Sequence, residues 1–237
     1  MLQQADSLRS QHASALLLLD TAQGLPQYLP HLRSALATYE NPTVTDILLS
    51  HWHGDHVGGL ADVLSLFASL KMRPPKVWKL PNALKDPEIE AVLAAIPSES
   101  FEKPASASAL LHALRPSQVF SLDASTSLEV LHTPGHTTDS ISLFVSSEQI
   151  LFTADTVLGH GTAVFEDLGA YMASLVACER RLEGEGTVQI YPGHGEVIKD
   201  GRGKIREYRA HRQQREDQVL EGLRDHAGTS EGVTALQ

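Results

Sequence analysis

The sequence predicts an α/β protein, with sheet inside and helices outside. Three observations carry that expectation. Apolar strand-like runs alternate with amphipathic helical stretches along the 237 residues. Strand-rich stretches occur in both halves of the chain. Ligand-type side chains recur in short turns directly after strand-like runs, where a rigid sheet can hold them.

The elements follow in order. Residues 13–20, "ASALLLLD", form a continuous apolar run of buried-strand type. Residues 25–39, "LPQYLPHLRSALATY", read as a helix, with Pro26 tolerable in its first turn and Pro30 placed to delay or kink the start. "TVTDILLS" is a second apolar strand. "VGGLADVLSLFASL" has helical periodicity, with Val57, Leu60, Val63, Leu64 and Phe67 on one face. "PKVWKL" is a short strand. "DPEIEAVLAAI" is a helix with Asp86 as N-cap and Pro87 at its first position. Residues 97–117 are rich in Ser, Ala and Pro and read as an irregular excursion with one short helix around "SALLHAL". "QVFSL" and "SLEVLHT" return to strand. "SISLFVSSEQILFTAD" is a hairpin turning at Ser146, Ser147 and Glu148. "DLGAYMASLVACERRLEG" is a helix whose Tyr171, Met172 and Cys178 are core residues, and "TVQIYPG" is a buried strand. Residues 202–226 form a long, strongly charged helix.

With 42% hydrophobic residues, the chain can build one large domain or a domain plus an appendage. No apolar stretch approaches the roughly 20 residues of a membrane span. The N-terminal apolar run lacks a basic leader and a small-residue cleavage site, so no secretory signal is read and a cytoplasmic protein is expected. One cysteine, Cys178, excludes an internal disulfide framework and suits a reducing compartment. A formal net charge of −10 argues against a protein whose main business is gripping nucleic acid. Residues 199–215 nevertheless carry seven Lys/Arg against two acids, and Arg202, Arg206 and Arg209 recur at helical spacing. Such a stripe would be a solvated face or a dock for an acidic partner.

The chemistry lies in four strand-end turns: "HWHGDH" with His51, His53, Asp55 and His56; "TPGH" with His136; "FTADT" with Asp155; and "YPGHG" with His194. In extended backbone, residues two apart point the same way, so His51 and His53 can offer two nitrogens to one ion. Asp55 and His56 sit at the mouth of the following helix, displaced toward a second ion, and Gly58 and Gly59 let that helix start pack closely. Asp155 has two oxygens, the right chemistry for bridging two cations. One tetrahedral zinc needs four donors at most, whereas two ions sharing a carboxylate use all seven. Imidazole favours zinc, with iron or manganese as alternatives. The isolated His12, His31, His112, His132, His160, His211 and His226 are read as ordinary polar residues.

The string "HWHGDH…TPGH…TADT…YPGHG" resembles the metallo-β-lactamase superfamily. The resemblance implies an αββα sandwich, here with a C-terminal helical tail, and a two-metal site. It implies that His51, His53 and His136 hold the first Zn2+, that Asp55, His56 and His194 hold the second, and that Asp155 bridges them. The flanking strings "DTAQGLPQY", "VLGHGTAVFEDLGAYMASL" and "YRAHRQQREDQVL" resemble the branch of fungal polyketide-releasing thioesterases and related β-lactamase-like endoribonucleases. The expected activity is hydrolysis of an aromatic polyketide thioester on an acyl carrier domain, with Asp55 orienting the attacking water. The alternatives are cleavage of single-stranded RNA or metal binding without turnover. A thiolate, of free pKa about 8.5, leaves without a strong proton donor, whereas an alkoxide needs one. Ser140 stands where many members of the branch carry histidine. Ala22 and Ala154 stand where glycine is commoner, so the backbone there is expected to avoid positive φ. The expected division is a catalytic domain over 1–200 and a helical extension over 201–237, in a chain shortened at both edges relative to the branch.

Overall fold

A computed structural model describes residues 16–106 and 109–225. Two sheets face each other. The first is parallel throughout, in the order β1 (Leu16–Leu19), β2 (Val44–Leu49), β3 (Lys76–Lys79), β4 (His112–Ala113). The second runs β5 (Val119–Ser121), β6 (Ser127–His132), β7 (Ile141–Val145), β8 (Ile150–Ala154), β9 (Gln189–Pro192). It is antiparallel as far as β8, and β9 then joins parallel to β8.

The period-two alternation of strands builds three apolar layers. Leu16 and Leu18 of β1, with Ile47 and Leu49 of β2, face a core shared with α1 (Tyr28–Leu36), α3 (Leu60–Ser69) and α4 (Asp86–Ala94). Leu17, Leu19 and Leu48 point the other way, toward Ile141, Leu143 and Val145 of β7 and Leu128 and Val130 of β6, and so fill the space between the sheets. Phe144 and Leu151 turn to the far side of the second sheet. There they meet α5 (Leu168–Arg181) and α6 (Gly201–Asp225), which contribute Tyr171, Leu175, Cys178, Ile205 and Tyr208. Each fully buried aliphatic side chain contributes about 1.5–3 kcal/mol, and because β7 is buried on both faces a one-residue slip would exchange the side chains of two differently shaped cores. Helix, sheet, sheet, helix is the αββα order expected.

Several expectations need correction. The apolar run from Val57 is two helices, because Gly58 and Gly59 separate α2 (Gly54–Val57) from α3. Asp86 is the first residue of α4 and Lys85 its N-cap; the Asp86 carboxylate instead accepts the Asn82 N–H at 2.7 Å and pairs with the buried Lys79 ammonium. The stretch "SALLHAL" does not form a helix in its described part: Leu111 and Leu114 are buried on either side of strand β4. The edge is held by His112, whose Nε2 lies 2.8 Å from the Glu102 carbonyl and whose ring packs on Trp78. Two of the three arginines of the expected α6 stripe are ion-paired. Arg206 and Arg209 both pair with Glu179 of α5, which fastens the two helices together. Ala22 and Ala154 adopt φ of +59° and +43°, the left-handed region the sequence reading excluded. Residues 13–15, His12 and His226, which entered the expectations above, lie outside the described residues. Among the described residues no helix is long and apolar enough to cross a membrane.

Candidate metal centre

The strand ends of both sheets open onto one place. Beyond Leu49 the chain passes Ser50 and bends at buried His51 and Trp52 before reaching His53, the N-cap of α2, with ψ of 143°. Asp55 and His56 fall inside that single helical turn. The α2–α3 junction is pressed against the loop after β1. A Cβ on Gly59 would lie 2.1 Å from the Thr21 carbonyl oxygen, so only glycine fits, as the sequence suggested. Thr21 fastens the same contact, its N–H donating to the His56 carbonyl at 2.7 Å.

His136 projects from the β6–β7 turn. That turn is tied internally by the Thr133 N–H to the Ser140 carbonyl (2.9 Å) and by the Thr137 N–H to Ser140 Oγ (3.1 Å). Its outer end is fixed by Asp139, whose carboxylate lies 2.5 Å from Lys79 Nζ; Lys79 is 1% exposed and also bonds Asp86 at 2.7 Å. A buried ammonium between two carboxylates is tolerated because it is paired and hydrogen-bonded; losing one partner would leave a costly uncompensated charge. Asp155 follows β8, and His194 follows β9. Between the two, Gly193 has no room for a side chain, since its Cβ would meet Asp155 Oδ1 at 2.3 Å.

All seven predicted residues come together, in two groups. His51 Nε2, His53 Nδ1 and His136 Nε2 form a triangle with sides of 3.0–3.2 Å. Asp55, His56, Asp155 and His194 form the second group. Asp155 touches both: Oδ1 is 3.3 Å from His56 Nε2, and Oδ2 is 3.4 Å from His194 Nε2 and 3.7 Å from His136 Nε2. Asp55 Oδ2 lies 3.0 Å from His194 Nε2.

Hydrogen bonds behind the rings decide which nitrogens face inward. His136 Nδ1 donates to the Val164 carbonyl at 2.9 Å, so its Nε2 presents a lone pair. Ser50 Oγ donates to Asp20 Oδ2 and therefore accepts from His51 Nδ1 at 3.0 Å, which likewise leaves a lone pair on His51 Nε2. Two lone pairs 3.2 Å apart repel unless a cation lies between them. Tetrahedral zinc–imidazole bonds of about 2.0–2.1 Å place ligand nitrogens ~3.3 Å apart, so the triangle fits such an ion. In the second group His56 Nδ1 donates to Asp20 Oδ2 at 2.8 Å, turning Nε2 inward. His56 Nε2 and Asp155 Oδ1 face each other at 3.3 Å, both buried and with no hydrogen-bond partner beyond this ion pair, which fits two ligands of one metal.

Electrostatics separates the groups. Burial, reinforced by neighbouring imidazoles, pushes His51 down to about 2, and burial lowers His53 as well, so these rings are neutral at neutral pH. For His56, burial opposes the charge, but the Asp155 and Asp20 carboxylates outweigh it and raise the ring to about 10. Contact with Asp155 raises His194 too. Burial likewise opposes ionisation of Asp155, yet His194 and His56 hold its carboxyl well below the usual range. A cation bound at either group would replace lone-pair repulsion or an imidazolium–carboxylate pair with direct bonds.

The sequence reading missed Asp20 as a site residue. It is 1% exposed, follows β1, and accepts three hydrogen bonds, from the Ser50 N–H, Ser50 Oγ and His56 Nδ1. Its signal was present: an acid directly after an apolar strand, the same format as the other four turns. The Val164 carbonyl behind His136 had none.

On this fold, the two clustered donor groups are those of a metal-binding hydrolase and are consistent with a dinuclear site. The chain belongs to the metallo-beta-lactamase superfamily, whose family model matches residues 10–194. It is 39% identical over 86% of its length to a beta-lactamase-like protein 2 homolog of Drosophila melanogaster, covering 63% of that relative. It is 36% identical over 88% of its length to an atrochrysone carboxyl ACP thioesterase of Aspergillus chevalieri, covering 57% of it. The chain thus spans less than two thirds of the length of either relative. In structure it resembles a metallo-beta-lactamase family protein from Thermus thermophilus, with a TM-score of 0.62 at 24% identity, over 89% of this chain and 75% of that one.

Proposed function

We propose that the protein is a dinuclear zinc hydrolase that cleaves the thioester joining an aromatic polyketide to an acyl carrier protein, in secondary-metabolite biosynthesis. The observation that carries the hydrolase reading is the convergence of seven donors into two groups that share Asp155. In this reading His51, His53 and His136 hold one ion, Asp55, His56 and His194 the other, and Asp155 joins them. A pair of zinc ions supplies electrophilic polarisation and a water ionised near neutral pH. The chain does the rest. Asp55, with 41% of its side chain exposed, is the carboxylate open to solvent, and it accepts a hydrogen bond from the attacking water and keeps its lone pair aligned. Asp20 and the Val164 carbonyl keep His56 and His136 turned inward.

The choice of a thioester is supported from two sides. One relative bears a thioesterase name at 36% identity. Ser140 is 3% exposed and hydrogen-bonded to Thr137 at 2.7 Å, so that position offers the leaving group no proton. A thiolate tolerates this; the alkoxide expelled from RNA does not.

The test is direct. Purified protein should carry close to two metal ions per chain and release acid from an acyl-carrier thioester without fragmenting single-stranded RNA. Asp155→Ala should lose at least one ion and the activity. Failure to bind metal under reducing conditions would sink the hydrolase reading, and cleavage of RNA without thioester hydrolysis would transfer it to the endoribonucleases of the same branch.

A further inference from the structure

Residues 158–167, between the Asp155 turn and α5, touch the backbone or side chain of a donor from each group. The Gly159 N–H donates to the His194 carbonyl at 2.9 Å, and the Val164 carbonyl accepts from His136 Nδ1 at 2.9 Å. The Glu166 and Asp167 N–H groups end the segment on the Gly135 carbonyl, at 2.7 and 3.1 Å. In its middle Val164 is 72% exposed, while Ala163 is buried and Phe165 stacks on Tyr171. Polar support comes from α6. The Tyr208 hydroxyl accepts from the Leu158 N–H at 3.1 Å and lies 3.1 Å from the Gly161 carbonyl. Arg212 Nη2 donates to the Ala163 carbonyl, and its guanidinium covers the Phe165 ring at 4.9 Å.

We propose that α6 is a positioning element of the metal centre, with Arg212 and Tyr208 holding the Val164 carbonyl where it orients His136. This rests on the dinuclear reading above. Arg212 fixes the peptide plane directly ahead of Val164, whose carbonyl selects the His136 tautomer that turns Nε2 toward His51 and His53. Neither residue belongs to the donor set, so both act through the ring. An outer partner of a ligand histidine is typically worth about 10–100-fold in metal affinity.

The experiment is cobalt(II) titration of the metal-free 237-residue chain, read by visible absorption and circular dichroism. Arg212→Ala should weaken one of two binding steps by about 10-fold or more and alter the spectrum of that step, with helix content preserved. Arg212→Lys, which cannot reproduce the planar fork, should be only partly restored. Arg215→Ala, which removes an exposed arginine of the same helix whose hydrogen bond goes to Gln218, should leave both steps near wild type. Should Arg212→Ala fail to fold, Tyr208→Phe, which deletes a single oxygen, carries the same test. Unchanged binding and spectrum in the Arg212 or Tyr208 variant overturns the proposal, as does an equal loss in Arg215→Ala. Absence of cobalt uptake by the wild-type protein overturns the dinuclear reading itself, and this proposal with it.

Discussion

Asp20 carries no proposed bond to a metal, yet two donors depend on it. Its Oδ2 takes hydrogen bonds from His56 Nδ1 and from Ser50 Oγ, and Ser50 in turn fixes His51. In Asp20→Asn one oxygen becomes an amide donor, which would face an N–H or push the His56 proton to the inward nitrogen. Metal affinity should fall about 10–100-fold, measured by competition with a chelating dye, while the fold persists. Backbone conformation gives a second expectation at this scale. Ala22 sits at φ +59°, where a Cβ costs about 1–2 kcal/mol and glycine's extra chain entropy returns part of the gain. Ala22→Gly should therefore stabilise by roughly 0.5–1 kcal/mol, seen as a melting temperature about 1–4 °C higher. The convergence of the seven side chains was readable because each has distinctive chemistry and follows a strand. The Val164 carbonyl was not readable, since a backbone oxygen leaves no mark on composition, and the two alanines could not announce a φ that alanine normally avoids.

Among the elements, α5 and α6 are joined by one carboxylate serving two guanidinium groups. Hydrogen bonding from Arg206, opposed by partial burial and reinforced by Arg209, holds Glu179 below its ordinary value. A carboxyl depressed in the folded state contributes stability that is full above its unfolded pKa and is lost as pH falls through the lower folded value. Below pH ~4, α6 should loosen from α5 and become open to an acid-active protease before the sheets do, and ~1 M salt at neutral pH should weaken the pairing only in part. Mass spectrometry of the early cleavage products checks this; cuts appearing first between the strands would refute it. Sequence periodicity placed most elements correctly because an alternating or 3.6-residue apolar pattern follows burial directly. It failed where burial was not the deciding term. The Gly58–Gly59 break answers to a neighbouring carbonyl, and "SALLHAL" has helical composition but pairs with β3 at the sheet edge. The arginine spacing showed a stripe but not the acid on another helix that absorbs it.

For the molecule as a whole, the donors crowd lone pairs and like-charged rings together, so an ion bound to the folded form should stabilise it strongly. Ligand held at about 100 times its Kd contributes ~2.7 kcal/mol. Chelation should accordingly lower the melting temperature on the order of 5–10 °C for a chain of this size, reversibly on adding zinc, by calorimetry. The passage of the chain from one sheet to the other has a consequence of its own. Residues 114–118 are the junction between β4 and β5, and everything before them supplies His51, His53, Asp55 and His56, everything after them His136, Asp155 and His194. Neither donor group is complete on one side of that junction. A polypeptide severed there would give two pieces that each lack a full coordination set, and zinc capture by their mixture would register the moment the halves reassociate.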